Sequence, residues 1–177
     1  MQTRILVAYA SKYGSTKEVA EAIADTLQEN GLVADLKPIR DVKSVEEYTA
    51  VVLGAPIYII HLHKDAHKFL SCHREALEKI PVAVFALGPL TSEEEEWKEA
   101  RIQLDKDLAK FPWFGPVEIK IFGGKFDPKN LHFPDSLLVK LPASPLHDIP
   151  ASDIRDWAAI RAWASNLSSK FQPALKQ

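Results

Sequence analysis

Cysteine is nearly absent from this chain of 177 residues, in which Cys72 stands alone. A single cysteine excludes a disulfide within the chain, and rare cysteine is typical of proteins from a reducing compartment. Long apolar runs are missing as well. The longest nearly apolar stretch, residues 50–60, is too short to cross a bilayer and contains a glycine and a proline. We therefore expect no transmembrane segment.

Neither sign of charge is in excess, because 22 lysines and arginines stand against 24 aspartates and glutamates, for a net charge of −2. This balance gives no general attraction to nucleic acid or to an anionic membrane surface. The chain begins with a strand pattern and not with a basic segment followed by an apolar one, so we expect a cytoplasmic protein. Its length suits one globular domain over residues 1–177.

A short polar segment, Ser11-Lys12-Tyr13-Gly14-Ser15-Thr16, separates an apolar strand pattern from a helical pattern. The first backbone N–H groups of a helix have no partner inside it, and the helix dipole adds about half a positive charge there. Aliphatic hydroxyls can donate to phosphate oxygens, and Gly14 can take the positive φ that curls a loop around an anion. An ordinary turn with one hydroxyl as helix cap is the simpler interpretation. Three such hydroxyls together favour a phosphate site.

Strand patterns alternate with helical patterns along the whole chain, which predicts an α/β fold with a doubly wound five-stranded parallel sheet and helices on both faces. In such a sheet, ligands bind outside the carboxyl ends of the strands, at the point where strand order reverses. For the order 2-1-3-4-5 this point lies between the first and third strands. Three loops would then meet there: the first loop (11–16), the second loop (55–62) and the third loop (88–92). The strand patterns cover residues 5–10, 32–38, 50–55, 82–87 and 117–123.

Capping residues predict where the helices begin and end. The first helix is predicted over residues 16–30, with Gly31 as the glycine that ends it. Ser44 and Thr91 are each followed three residues later by Glu, which predicts capping boxes for two helices. Ser152 is predicted to cap the last helix. An apolar stripe predicts one helix over residues 62–77, in which Cys72 is expected to be a core thiol.

Residues 125–151, the proline-rich excursion, fit the alternating scheme less well. Between residues 111 and 150 lie seven of the chain's 12 prolines. Loops of this length usually have a function, and both a lid or partner surface and a passive surface segment are compatible with the pattern. Within it, residues 134–140 predict a short helix that starts with Pro134 at its first position.

Three histidines invite other interpretations. His63 and His67 have the spacing of two metal ligands on one helix face, but no motif supplies a third ligand, so we expect no metal site. His61 or His63 can deliver a proton near neutral pH. The first and third strands end without the acidic residues of a receiver domain, and the chain lacks the P-loop pattern of nucleotide-binding proteins.

In the order of its elements, the chain resembles the flavodoxin family over essentially its whole length. The first loop is similar to the family's phosphate loop, with a hydroxyl, two positions, a glycine, one position and a second hydroxyl. Residues 54–63 resemble the second loop of flavodoxin-domain proteins akin to the menaquinone-dependent protoporphyrinogen oxidases, including its His-x-His ending. Two further segments extend the match: Gly123-Gly124 before the excursion, and Asp156-Trp157-Ala158-Ala159-Ile160 in the last helix.

This resemblance implies non-covalent FMN, with its phosphate on the first loop and its isoalloxazine ring between the second and third loops. Apolar side chains there can shelter a flat ring, and Tyr58 can stack on it. No residue is identified as catalytic. The cofactor-binding residues expected on this basis are Ser11, Lys12, Tyr13, Gly14, Ser15, Thr16, Pro56, Ile57, Tyr58, Ile59, Gly88, Pro89, Leu90 and Thr91.

Two features separate this chain from the electron-carrier flavodoxins. Those carriers have a glycine in the second loop whose peptide can turn toward the reduced flavin, whereas Ile59 and Ile60 stand here and resist a positive φ. Carriers that dock on basic partners are also expected to be acidic, and this chain is nearly neutral. We therefore expect an FMN-dependent oxidoreductase or specialised carrier.

Its electrons would pass to a redox partner protein or to a small molecule of the quinone or porphyrinogen type. The alternative is a non-catalytic module that binds FMN or another phosphate ligand on the same scaffold.

Overall fold

A computed structural model describes residues 3–58, 61–144, 147 and 149–172. Within this part of the chain, the main sheet has its strands in the order β2-β1-β3-β5-β6, all parallel, and a short β4 folds back antiparallel on β3. Counting the parallel strands alone, this is the predicted order 2-1-3-4-5, so the predicted fold is confirmed. The strands are β1 (Arg4–Tyr9), β2 (Val33–Pro38), β3 (Ala50–Tyr58), β4 (His61–Leu62), β5 (Val82–Leu87) and β6 (Glu118–Phe122).

Helices cover both faces of the sheet, which explains why its three central strands, β1, β3 and β5, are largely apolar. On one face, α1 and α6 pack against Ile5 and Val7 of β1. On the other face, α2 and α4 pack against Leu6 and Ala8 of the same strand. The helices are α1 (Ser15–Glu29), α2 (Lys64–Cys72), α3 (Arg74–Leu77), α4 (Glu94–Leu108), α5 (Asp135–Leu138) and α6 (Trp157–Phe171). None of the described helices combines the length and the apolar content that crossing a membrane requires.

The end of α1 agrees with its sequence signal. Gly31 has φ 82°. Its N–H donates to the carbonyl of Gln28 at 2.9 Å, and the N–H of Leu32 donates to the carbonyl of Leu27 at 3.1 Å. This is the Schellman arrangement, which needs a residue that tolerates positive φ at the position of Gly31.

Three predicted helix caps are wrong. The Ser44 hydroxyl accepts from the N–H of Glu46 at 3.2 Å within a turn, and no helix follows it. Helix α4 has Glu93 as its N-cap, so Thr91 precedes the helix. Ser152 lies in a short strand, and α6 is capped by Asp156, whose carboxylate accepts from the N–H of Ala159 at 2.9 Å.

The predicted helix over residues 62–77 is also wrong in its extent. Leu62 belongs to β4, and the helical part is divided into α2 and α3 at His73. Cys72 ends α2 and is exposed, so it is not a core thiol.

The excursion contains more structure than its one predicted helix. Its first residues form β7 (Lys125–Phe126), which pairs antiparallel with β8 (Ser152–Asp153), and a 3-10 helix follows at Pro128–Asn130. The short helix predicted over residues 134–140 is present as α5, but it is shorter than predicted, and Pro134 is its N-cap and not its first helical residue. Because β7 and β8 are paired, the two ends of the excursion meet beside the main sheet.

Candidate functional site

A cleft of about 410 Å³ opens at the carboxyl ends of β1, β3 and β5. Its volume is within the range of small-molecule sites, roughly 300–1,000 Å³. The three predicted loops all contribute to its wall, and so does the start of the excursion. The lining residues are Lys12, Tyr13, Ser15, Pro56, Ile57, Leu87, Gly88, Leu90, Gly124, Lys125, Phe126, Asp127, Asn130, Leu131 and Asp135.

One end of the cleft lies at the start of α1. Gly14 is the N-cap of this helix at φ 91°, and among the described residues no side chain caps the helix. A Cβ at Gly14 would meet nothing within 4 Å, so the backbone angle and not crowding favours glycine here. The Ser11 hydroxyl accepts from the N–H of Gly14 at 3.0 Å and fixes the bend of the loop. The N–H groups of the first helical turn therefore have no side-chain acceptor within the described part of the chain.

Lys12 and Tyr13 reach from the first loop to the excursion. Lys12 Nζ donates to the Asp135 carboxylate at 2.5 Å, and the Tyr13 hydroxyl donates to the same oxygen. The bond from Lys12, followed by that from Tyr13, holds the pKa of Asp135 below its ordinary value. In return, the Asp135 carboxylate raises the pKa of Lys12. We call this three-residue contact the Asp135 latch.

Apolar side chains of three segments also line the cleft, and we call the surface that they form its apolar end. Ile57 belongs to the second loop, Leu90 to the third loop, and Phe126 and Leu131 to the excursion. Gly124 passes close to the third loop: its N–H donates to the Pro89 carbonyl at 2.6 Å. A Cβ there would lie 3.2 Å from Leu90 Cδ2 and 3.3 Å from the Gly88 oxygen, so a larger residue would push the wall apart.

In the second loop, β4 pairs antiparallel with the end of β3. Ile57 pairs with Leu62, and the N–H of His63 donates to the Pro56 carbonyl at 3.2 Å. The N–H of Leu62 donates to the Asp107 carboxylate of α4 at 2.5 Å. Ile59 and the side chain of Tyr58 lie outside the described residues, so the predicted stacking by Tyr58 stays a prediction.

His63 is the N-cap of α2, and its Nδ1 accepts from the N–H of Asp65 at 3.2 Å. Burial lowers the pKa of His63, although the neighbouring Asp65 opposes the change. A neutral imidazole is what this cap requires, since a protonated Nδ1 cannot accept. His63 is not one of the residues that line the cleft, and the His61 side chain lies outside the described part.

The third loop is held by Glu96 of α4. Its carboxylate accepts from the N–H of Leu90 at 2.7 Å, from the N–H of Thr91 at 3.0 Å and from the Thr91 hydroxyl. Both of these N–H groups are therefore bonded to Glu96 within the protein. Of the predicted residues in this loop, Gly88 and Leu90 line the cleft, Pro89 is buried behind them and Thr91 is exposed.

Reasoning from the sequence missed residues 124–135 as part of the cleft wall. The glycine pair before a proline-rich segment was the available signal. It also missed Arg155, which is buried and connects β8 to the start of α1. Arg155 donates to the Asp153 carboxylate at 2.6 Å, to Glu18 and to the Ser15 carbonyl at 3.5 Å.

Comparison with known families and proteins agrees with this geometry. A family model described as a flavodoxin domain matches residues 6–150. Protoporphyrinogen IX dehydrogenase (quinone) of Escherichia coli strain K12 is 24% identical over 141 residues, which cover 78% of this chain and 77% of that protein. The protein of the same name from Leishmania major is 26% identical over 175 residues, covering 94% of this chain and 75% of its own length.

Solved structures share the fold. A flavodoxin from the domain Archaea superposes with a TM-score of 0.60 at 15% identity, over 97% of this chain and all of that one (100%). A short-chain flavodoxin associated with a bacterial microcompartment gives a TM-score of 0.63 at 14% identity, over the same shares, 97% and 100%.

Proposed function

Because this chain belongs to the flavodoxin domain family, we propose that it is an FMN-dependent oxidoreductase whose electrons pass to a small quinone-type acceptor. FMN is the cofactor of a flavodoxin domain. Two relatives at low identity are named as quinone-dependent dehydrogenases of protoporphyrinogen IX, which supports a quinone or a porphyrinogen as the small-molecule partner.

One observation carries the proposal: a single cleft joins an uncapped helix start to an apolar wall. FMN has the same division, with a charged phosphate at one end and a flat, largely apolar ring at the other. A ligand with only one of these parts would leave half of the cleft unmatched.

The phosphate end holds its ligand mainly through neutral groups. The N–H groups of Ser15 and Thr16 and the hydroxyls of the first loop would surround the phosphate at the positive end of the α1 dipole. The Lys12 ammonium group is bonded to the Asp135 carboxylate. Lys12 is therefore not a free cation that could pair with the phosphate.

The ring end would shelter the ring from water. Ile57, Leu90, Phe126 and Leu131 are among the apolar side chains that line the cleft. FMN, when bound, supplies reversible two-electron chemistry at its ring. The residues around it would orient the ring and shelter it from solvent.

The experiment is anaerobic reoxidation. Protein loaded with FMN is photoreduced and then mixed either with a water-soluble menaquinone analogue or with cytochrome c. Recovery of the oxidised-flavin absorbance with the quinone, faster than for free reduced FMN, supports the proposal. Recovery with cytochrome c alone indicates a carrier for protein partners. Protein that retains no FMN contradicts the proposal and favours the non-catalytic module.

A further inference from the structure

Helix α4 is bonded to both loops that bound the apolar end of the cleft. Glu96 near its start binds the third loop, and Asp107 near its end binds β4 of the second loop. The two residues are eleven positions apart in the sequence. At about 3.6 residues per turn, this is close to three full turns, so both carboxylates project from the same side of the helix.

Asp107 is an unusual residue for a helix facing a core, because it is only 1% exposed. A buried carboxylate is costly unless charges and hydrogen bonds compensate it. Lys110 Nζ donates to it at 2.6 Å, the N–H of Leu62 at 2.5 Å, and His67 Nε2 lies 3.8 Å away. Burial opposes the ionisation of Asp107, but the bonds from Lys110 and Leu62 outweigh it and lower its pKa. The bond to Leu62 is therefore charge-assisted and strong.

This bond connects directly to the cleft. Leu62 of β4 is paired with Ile57 of β3, and Ile57 lines the apolar end. A shift of Leu62 would move Ile57 with it. Asp107 thus fixes one wall of the cleft through its bond to the backbone of Leu62.

Glu96 does the same for the third loop. Both of its carboxylate oxygens are used by the third loop, one by the N–H of Leu90 and the other by the N–H and hydroxyl of Thr91. Leu90 lines the cleft. Two walls that approach the same ligand are therefore bonded to one rigid helix.

We propose that Asp107 and Glu96 are positioning residues for the flavin ring, which set the separation of the second and third loops before the cofactor binds. This inference rests on the proposed function. It assigns both residues a role in ring affinity, although neither side chain lines the cleft.

Two isosteric variants, Asp107→Asn and Glu96→Gln, test the proposal by titration with FMN and with riboflavin, which lacks the phosphate. Each variant is expected to bind both flavins roughly tenfold more weakly, because the bonds to a loop lose their charge assistance. The factor is the same for the two flavins, since the phosphate loop is untouched. Asp105→Asn is the matched control: Asp105 lies on α4, is half-exposed and pairs only with Arg101 among the described residues, so its affinities stay at wild-type values.

Amide hydrogen exchange in the cofactor-free protein is the second readout. Faster exchange is expected at Leu62 in Asp107→Asn, and at Leu90 and Thr91 in Glu96→Gln. Wild-type affinity in both variants overturns the inference while leaving the proposed function intact. A larger loss for FMN than for riboflavin also overturns it, because the effect would then lie at the phosphate end of the cleft and not at the ring. A wild-type protein that binds neither flavin contradicts the proposed function and this inference together.

Discussion

Gly54 lies in the middle of the sheet, paired with Phe85 of β5. A Cβ at this position would lie 2.0 Å from Phe85 Cζ, and the ring is fully buried and has no free space to move into. Gly54→Ala is therefore expected to lower the free energy of unfolding by at least about 1–3 kcal/mol, as overpacking does. Urea denaturation measures the change.

The control is Gly115→Ala, because a Cβ at Gly115 meets nothing within 4 Å. This substitution should change the free energy of unfolding by no more than about 0.5 kcal/mol. Equal stabilities for the two variants would contradict the tight fit at Gly54.

Gly14 is constrained by its backbone angle and not by space. In Gly14→Ala, the left-handed conformation at φ 91° costs roughly 1–2 kcal/mol, or the loop relaxes to avoid it. Either way, the first helical turn no longer presents its N–H groups as before. We expect FMN binding to weaken more than riboflavin binding, as measured by fluorescence titration. An equal loss for both flavins would place the phosphate elsewhere.

His63 gives the fold a pH dependence of known sign. Its pKa is lowered in the folded state from 6.5, so the neutral form is favoured and caps α2. The stability that it contributes is fully present above pH 6.5 and decreases as the pH falls from there toward the lower folded value. His63→Asn keeps an acceptor at the cap and removes the titration. Between pH 7.5 and pH 5.5, the urea midpoint of the variant should fall less than that of the wild type. An identical fall in both proteins would mean that other groups cause the pH dependence.

Among the loops, the excursion depends on the Asp135 latch. Lys12 is 41% exposed and Asp135 23%, so the pair contributes little to global stability. Its effect is local: Asp135→Asn should speed proteolysis within residues 125–144 while the urea midpoint stays nearly unchanged. Lys12→Gln, which removes the other partner, should act in the same direction. Proteolysis at the wild-type rate in both variants would show that β7 and β8 alone hold the excursion.

The latch also has a defined pH window. Asp135 has its pKa lowered from 3.8 by Lys12 and then by Tyr13. The latch is therefore complete above that value and is lost only as the pH falls through the lower folded pKa. Proteolysis or exchange measurements at neutral pH should consequently be insensitive to modest changes in pH.

Sequence patterns predict these elements well where the signal is local. They fail where contacts with residues far away in the sequence determine the structure. Gly31 ends α1 as expected, because the glycine signal depends on its own backbone angle. Leu62 was expected in a helix, but its N–H is taken by a carboxylate 45 residues further along the chain. Ser152 does not cap α6 as predicted, because it lies in β8 and pairs with Phe126 of β7.

For the candidate site too, the sequence predicts the residues that carry a local signal and misses those that depend on distant contacts. The first loop was predicted from hydroxyls and a glycine next to one another, and the structure places Lys12, Tyr13 and Ser15 in the cleft. The contribution of the excursion was not predicted, because it depends on contacts such as Lys12 with Asp135, 123 residues apart. No periodicity or motif encodes a pairing over that separation.

The molecule combines a rigid frame, formed by the sheet and the helices packed on it, with a more weakly held rim, formed by the excursion. Two hydrophobic cores, one on each face of the sheet, fix the carboxyl ends of β1, β3 and β5. Helix α4 fixes the second and third loops through Glu96 and Asp107, while the excursion closes the remaining side through exposed, polar contacts. Access to the cleft is accordingly expected to vary with the excursion and not with the frame.

The most direct measurement is the ratio of the FMN and riboflavin dissociation constants for the unmodified protein. Several hydrogen bonds to a phosphate at the start of α1 predict one FMN per chain, bound at least roughly a hundredfold more tightly than riboflavin. Equal affinities, or no binding of FMN, would contradict the placement of the phosphate at residues 11–16 and the function proposed from it.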